Sequence, residues 1–265
     1  MTMCDYCVLH GEGKRWYQNE RNYSREIFSS DETQTFIHDF FSRQLEERKK
    51  RNTEILALSK TAEWLLTHEK LETYYRENLH HQVVPTEVAC DIVRMADRAC
   101  LMSCVCKKMV GKQDKLCLGL GFAADVADGY PEYTDGIQEI SVGDACAFIE
   151  RLDEGGVVHS VSALRVPYVG MVCNCDLKFC NPYRMRLRGV KNAFYKSEFV
   201  FEIDRNKCSQ CGECVSRCLF GALRSEEEIF IDAEKCFGCG QCRRACEEHA
   251  IVAKERSTHA VGEIW

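Results

Sequence analysis

Cys208-Ser-Gln-Cys211-Gly-Glu-Cys214-Val-Ser-Arg-Cys218 and Cys236-Phe-Gly-Cys239-Gly-Gln-Cys242-Arg-Arg-Ala-Cys246 are the stretches on which the reading of this 265-residue chain turns. Both follow Cys-x2-Cys-x2-Cys-x3-Cys, and the second repeats the first at a period of 28 residues. The repeat extends outward. Phe201-Glu-Ile-Asp-Arg-Asn-Lys-Cys208 aligns with Ile229-Phe-Ile-Asp-Ala-Glu-Lys-Cys236, and both copies close on an Ala and an aliphatic residue, Ala222-Leu223 and Ala250-Ile251. This is too short and too cysteine-loaded for a solenoid. It reads as one fold of two similar halves, each a strand, a cysteine loop and a short helix.

Three thiolates at intervals of three residues, on a loop curling round one object, can reach three corners of an iron–sulfur cube. The fourth cysteine, on the following helix, points toward the other half. Zinc wants four tetrahedral ligands, usually from two separated pairs, and fits this packing less well. Over about Phe199 to Lys254 the chain resembles the bacterial-type ferredoxins that hold two 4Fe–4S clusters. That resemblance implies crossed ligation. Cys208, Cys211, Cys214 and Cys246 would hold one cluster, and Cys236, Cys239, Cys242 and Cys218 the other. Gly212 and Gly240 suit loops whose backbone must approach a sulfide closely. Where the family usually has Pro after the fourth cysteine, this chain has Leu219 and Glu247.

The chain holds 19 cysteines and only 4 prolines, is 45% hydrophobic and 29% charged, and carries a formal charge of -6. No apolar run approaches the roughly 18 residues needed to cross a bilayer, so no membrane insertion is expected. The start, Met1 to Cys7, has neither the basic nor the apolar region of a secretory signal. A cytoplasmic, reducing location is expected, where cysteine clusters more often mean metal or redox chemistry than disulfides. The acidic balance argues against non-specific binding to nucleic acid and suits steering onto the basic patch of a redox partner.

The fold class expected is α+β. Residues 1–85 read as a helical N-terminal region with a Cys-x-x-Cys start. Ser29-Ser30-Asp31-Glu32 has the form of a capping box. Behind it lies an apolar stripe: Phe36, Ile37, Phe40, Phe41 and Leu45, then Ile55, Leu58, Ala62, Leu65 and Leu66. Glu46 to Arg51 is read as a solvated helix face with i,i+4 pairs. Pro85 should end or redirect the helical region. Residues 86–196 read as a mixed α/β, cysteine-rich domain. A helix over Val88–Ala99 runs into an extended segment at Cys100–Cys106, a short helix covers Asp144 to Leu152, and strands lie around Pro167. Helix plus ribbon is also the shape of a winged-helix module, but the basic surface for DNA is missing. Residues 197–256 form the ferredoxin domain, and 257–265 a tail.

Cys104-Val-Cys106 and Cys173-Asn-Cys175 share a Cys-x-Cys spacing. On strands, such side chains point to one face, about 6–7 Å apart. With Cys117 and Cys180 they form the ligand pool expected for a third cluster. Their segments are similar to patterns upstream of some dicluster ferredoxin domains, including poorly characterised iron–sulfur proteins. Buried free cysteine is the alternative. Cys4 and Cys7, with His10, are weighed as metal ligands against an unbound terminus. Cys90, Cys100 and Cys146 are read as core.

Gly11-Glu-Gly-Lys14 is no P-loop, because Val8 and Arg15 stand where Gly and Ser/Thr belong. Gly119-Leu-Gly121-Phe-Ala-Ala124 has the form of a dinucleotide fingerprint without an evident frame. His159 and His249 lack local partners, and no catalytic residues are legible. The expectation is an iron–sulfur electron-transfer protein with two 4Fe–4S clusters and a third in prospect. It would serve as a subunit or adaptor of an anaerobic oxidoreductase in preference to being an enzyme. The alternatives are an iron–sulfur enzyme working at the N-terminal cysteine site and a cluster-based redox sensor.

Overall fold

Serine caps set where the first two α-helices begin. The computed structural model describes residues 13–43, 45–58 and 62–256. After 3-10 turns at Gly13–Gln18 and Glu20–Tyr23, helix α1 (Arg25–Phe28) starts at Ser24, whose hydroxyl accepts the Ile27 N–H. Helix α2 (Asp31–Ser42) starts at Ser30, which accepts the Thr33 N–H at 3.3 Å. The cap expected at Ser29 therefore lies one residue later, because Ser29 is occupied in closing α1. Helices α3 (Leu45–Ala57) and α4 (Ala62–Tyr74) follow, and α4 runs into a π turn at Tyr75–Leu79.

The apolar stripe holds over Ile37, Phe40 and Phe41, which are buried. Ile37 and Phe41, fully enclosed, each contribute roughly 1.5–3 kcal/mol. It fails on α4, where Trp64 turns inward and Leu65 and Leu66 are 65% and 64% exposed. The helical run also ends before Pro85. Strand β1 (His81–Val84) intervenes, and Pro85 caps α5 (Thr86–Ala96).

The middle of the chain is built on a six-stranded sheet. Its further strands are β2 (Ala99–Ser103), β3 (Lys115–Leu120), β4 (Gln138–Ile140), β5 (Val158–Ala163) and β6 (Val169–Cys175). The order is β1-β5-β6-β3-β2-β4, and every pairing is antiparallel. Between strands lie the short helices α6 (Val105–Lys108), α7 (Ala123–Asp128) and α8 (Pro131–Thr134), and the longer α9 (Val142–Glu154). Helix α10 (Asn181–Leu187) follows β6.

The side-chain period of two gives this sheet two faces. Val84, Leu118, Leu120, Val161 and Val172 share a core with Ile92 and Val93 of α5 and Ile149 of α9. Val83, Cys100, Met102, Cys117, Met171, Cys173 and Cys175 point the other way. They share a core with Ile37, Phe40 and Phe41 of α2 and with Trp64 and Leu71 of α4. With both faces covered, β5 and β6 are buried at every position. All the sheet's cysteines lie on the face roofed by the N-terminal helices. Gly119 stands within β3, where an added Cβ would strike the Met102 methyl, so packing accounts for this glycine.

The C-terminal region pairs β7 (Phe199–Ile203) with β10 (Ile251–Glu255), and β8 (Leu223–Ser225) with β9 (Ile229–Ile231). Helices α11 (Glu213–Arg217) and α12 (Gln241–Arg244) follow the cysteine loops. The sequence repeat is kept atom by atom at the loops. Cys208 N–H donates to Asp204 O at 3.1 Å and Cys236 N–H to Asp232 O at 3.0 Å. Gly212 and Gly240 cap the two helices with the same left-handed backbone, φ 83° and ψ -5°. The described residues form an α+β fold. No helix among the described residues is long and apolar enough to cross a membrane.

Candidate functional site: three cysteine-lined cavities

Six cysteines from four segments line one cavity of about 150 Å³ on the roofed face of the sheet: Cys104, Cys106, Cys117, Cys173, Cys175 and Cys180. Strand β6 supplies Cys173 and Cys175 on one face, as a strand must. The register Leu118↔Val172 sets Cys117 of β3 opposite Cys173. Cys180 caps α10, after a turn in which its N–H donates to Asp176 O at 2.9 Å. Cys104 and Cys106 reach the cavity by a different route from the one expected. Strand β2 stops at Ser103, Cys104 caps α6, and Cys106 lies in the first turn of that helix. The Cys104 N–H donates to Asp114 O at 2.9 Å, which turns the chain out of the strand.

The thiols interact with one another. Hydrogen bonds from the Cys106 and then the Cys117 thiols pull Cys104 down to about 3, aided by the backbone N–H groups of Lys107 and Cys106 and opposed by burial. The same bond with Cys104, followed by burial, pushes Cys106 well above its usual range. Bonds with Cys104 and Cys173, then burial, do likewise for Cys117. Cys173 is pulled down by Cys117 but carried upward by burial. Cys180 is raised by its bond with Cys175 and by burial. The Ser160 hydroxyl lies 3.6 Å from the Cys175 sulfur.

Arg43, Arg48, Arg51 and Lys107 also line this cavity, against the single carboxylate of Asp176. The sequence reads Arg48 and Arg51 as part of a solvated face. Arg48 instead lies over the rings of Phe40 (4.6 Å) and Tyr133 (5.2 Å) and donates to the Phe40 carbonyl. Nothing in the charge run distinguishes it from its neighbours.

The eight C-terminal cysteines line two smaller cavities in the crossed sets. Cys208, Cys211, Cys214 and Cys246 line one, and Cys218, Cys236, Cys239 and Cys242 the other. Backbone N–H groups of Ala222 and Ala250 donate to the Cys218 and Cys246 sulfurs at 3.2 and 3.3 Å. Burial pushes Cys239 up to about 12 and raises Cys242 further. Phe220 and Phe237, stacked at 4.2 Å, line the second of these cavities. Tyr183 of α10 meets both rings edge-on at 5.6 and 6.4 Å, joining that cavity to the six-cysteine region, a link without a sequence signal.

The remaining cysteines are apart from these sets. Cys90 and Cys146 face each other between α5 and α9, each thiol donating to the other's carbonyl at 3.9 and 3.8 Å. Cys100 is buried in the sheet, which raises its thiol to about 11. His159 is buried, with Nδ1 2.7 Å from the Asn174 side-chain oxygen. Cys4, Cys7 and His10 lie outside the described residues.

The family described as "4Fe-4S binding domain" matches residues 229–252, which is the second half of the repeat. No curated protein and no solved structure matches the chain. Holding a metal requires donor atoms that converge on one centre at bonding distance, roughly 2.3 Å for a thiolate on zinc. Among the described residues no group of three or more His, Cys, Asp or Glu side chains is placed to do so. Lining a wall and converging on a point are different arrangements. The expected two 4Fe–4S clusters on Cys208, Cys211, Cys214, Cys218, Cys236, Cys239, Cys242 and Cys246 are corrected on this ground. So is the third cluster on Cys104, Cys106, Cys117, Cys173, Cys175 and Cys180. With them fall the assignment to the two-cluster bacterial-type ferredoxins, the electron relay, and the enzyme and sensor alternatives built on clusters. One family-like segment stands where two were expected.

Proposed function

We propose that this protein is involved in iron–sulfur chemistry through the single segment 229–252. The observation that carries the reading is the family match over those residues, which include Cys236, Cys239 and Cys242. A reducing, cytoplasmic location goes with this reading, supported by seventeen free cysteines among the described residues. The formal charge of -6 favours a partner protein with a basic docking patch. The test is iron and acid-labile sulfide per anaerobically purified chain, in wild type and in a Cys236→Ser, Cys239→Ser, Cys242→Ser variant. Iron and sulfide present in the wild type and lost from the variant are expected. A wild type with neither, before and after reconstitution, or a variant equal to the wild type, overturns the reading.

A further inference from the structure

We propose that the six-cysteine cavity is a thiol–disulfide exchange site for a small anionic disulfide, with Cys104 as the attacking sulfur. Its thiols are gathered into one cavity, with Cys117 of β3 set opposite Cys173 of β6 and Cys175 on the same face of that strand. Sulfur beside sulfur is the arrangement from which a disulfide closes. Cys104 and Cys106 are only partly buried, whereas Cys117, Cys173, Cys175 and Cys180 are enclosed, so a reactant meets Cys104 and Cys106 first. The thiolate is the nucleophile in such exchange, and the two thiols donating to Cys104 stabilise it in that form.

The charge lining the cavity selects the reactant. Arg43, Arg48, Arg51 and Lys107 face one carboxylate, Asp176. Lys107 is already engaged by Asp114 at 2.7 Å and Asp176 at 3.5 Å. Arg43 and Arg51 have no ion-pair partner among the described residues, which leaves their charge for an anionic ligand.

The reaction balances within the site. The Cys104 sulfur attacks one sulfur of the disulfide, so a bond forms between Cys104 and that half, and the other half leaves as a thiolate. Cys106 or Cys117 then attacks Cys104 and passes its proton to the departing second half, closing an internal disulfide and releasing that half as a thiol. Two protein thiols are oxidised, and one small disulfide is reduced to two thiols.

The test uses the full chain, handled anaerobically, with oxidised glutathione as the anionic disulfide and cystamine as a cationic one. Peptide mass spectrometry follows the mixed disulfide on Cys104 and the internal disulfide that replaces it. Glutathione disulfide should react faster than cystamine by about tenfold, a difference of roughly 1.4 kcal/mol. Arg43→Ala with Arg51→Ala should remove most of that preference, slowing glutathione disulfide without slowing cystamine. Cys104→Ser should abolish the internal disulfide. Mapping the mixed disulfide in the wild type decides the matter if that variant does not fold. Equal rates for the two disulfides overturn the proposal, as does a folded wild type in which Cys104 stays unmodified while exposed Cys211 reacts. So does protection of the six cysteines from alkylation that a chelator removes. None of these readouts depends on iron bound at 229–252, so the two readings fail separately.

Discussion

The two halves of the C-terminal repeat have the same backbone and different surroundings. In the first, Ser209, Gln210 and Cys211 are exposed. In the second, the equivalent Phe237, Gly238 and Cys239 are turned against the rest of the protein. Phe237 stacks on Phe220 and lies 6.0 Å from Phe194. Gln241 donates to Asp153 at 2.5 Å and to Val157 O at 3.0 Å. Buried Arg256 ties the carbonyls of Phe199 and Cys236 together at 2.8 Å each. The pair Gln210 and Gly238 shows what this does to sequence. Both have left-handed backbones, φ 60° and 72°. Gln210 tolerates it because its side chain is in solvent and accepts the Ile229 N–H at 2.9 Å. At Gly238 a Cβ would run into the Phe199 carbonyl, so only glycine fits. A repeat can thus diverge where one cysteine loop is packed against the protein and the other is exposed, and the family match falls on the copy with the packed loop.

The sharpest way to break this comparison is Gly238→Ala. Left-handed strain and overpacking together should cost about 4 kcal/mol, whereas Gln210→Ala should cost about 1 kcal/mol, read as shifts in denaturant midpoint. Comparable losses at the two sites would mean that the asymmetry of packing is unimportant.

The docked side also carries a buried acid. Burial raises Glu198 from 4.5 to about 7, while it accepts from the Tyr17 hydroxyl and, at 3.1 Å, from Gln82. An acid whose folded pKa lies above its unfolded one binds more protons when folded. Its cost is absent below about 4.5 and complete above about 7, roughly 3 kcal/mol in all. Glu198→Gln should flatten the fall in stability between pH 5 and 7.5, and an unchanged slope would assign that fall to other groups.

Phe237→Ala should cost about 2 kcal/mol through lost stacking and burial, against no measurable change for its counterpart, Ser209→Ala. Smallest is Arg243→Ala. Arg243 pairs with Glu87 at 2.7 Å with both side chains well exposed, so less than about 1 kcal/mol should be lost, and less still in high salt. A larger effect would show that the salt link, and not apolar docking, holds the second half.

What was legible in advance follows the range of the interactions concerned. The two cysteine loops were readable because each is made by neighbours in sequence: a turn from Asp204 or Asp232 and a left-handed glycine at fixed offset. Cys173-Asn-Cys175 was readable as a strand for the same reason. Cys104-Val-Cys106 reads as extended in sequence because β-branched Val105 favours a strand, and only the Cys104 N–H donating to the Asp114 carbonyl, across a turn, converts it into a helix start. The stripe on α4 failed at Leu65 and Leu66 because periodicity says which residues share a face but not whether anything covers it.

The sequence by itself determined the α+β class, the repeat, and the spacing within each cysteine loop, since these depend on local turns and short-range hydrogen bonds. Only the tertiary structure decided which thiols meet. Six cysteines from four segments share a pocket because strand register and two helix caps deliver them there. The same long-range geometry leaves the cysteines of the C-terminal loops lining walls without converging on a metal-holding point. Spacing along a chain limits how close two donors can come. Whether they converge depends on the elements packed between them.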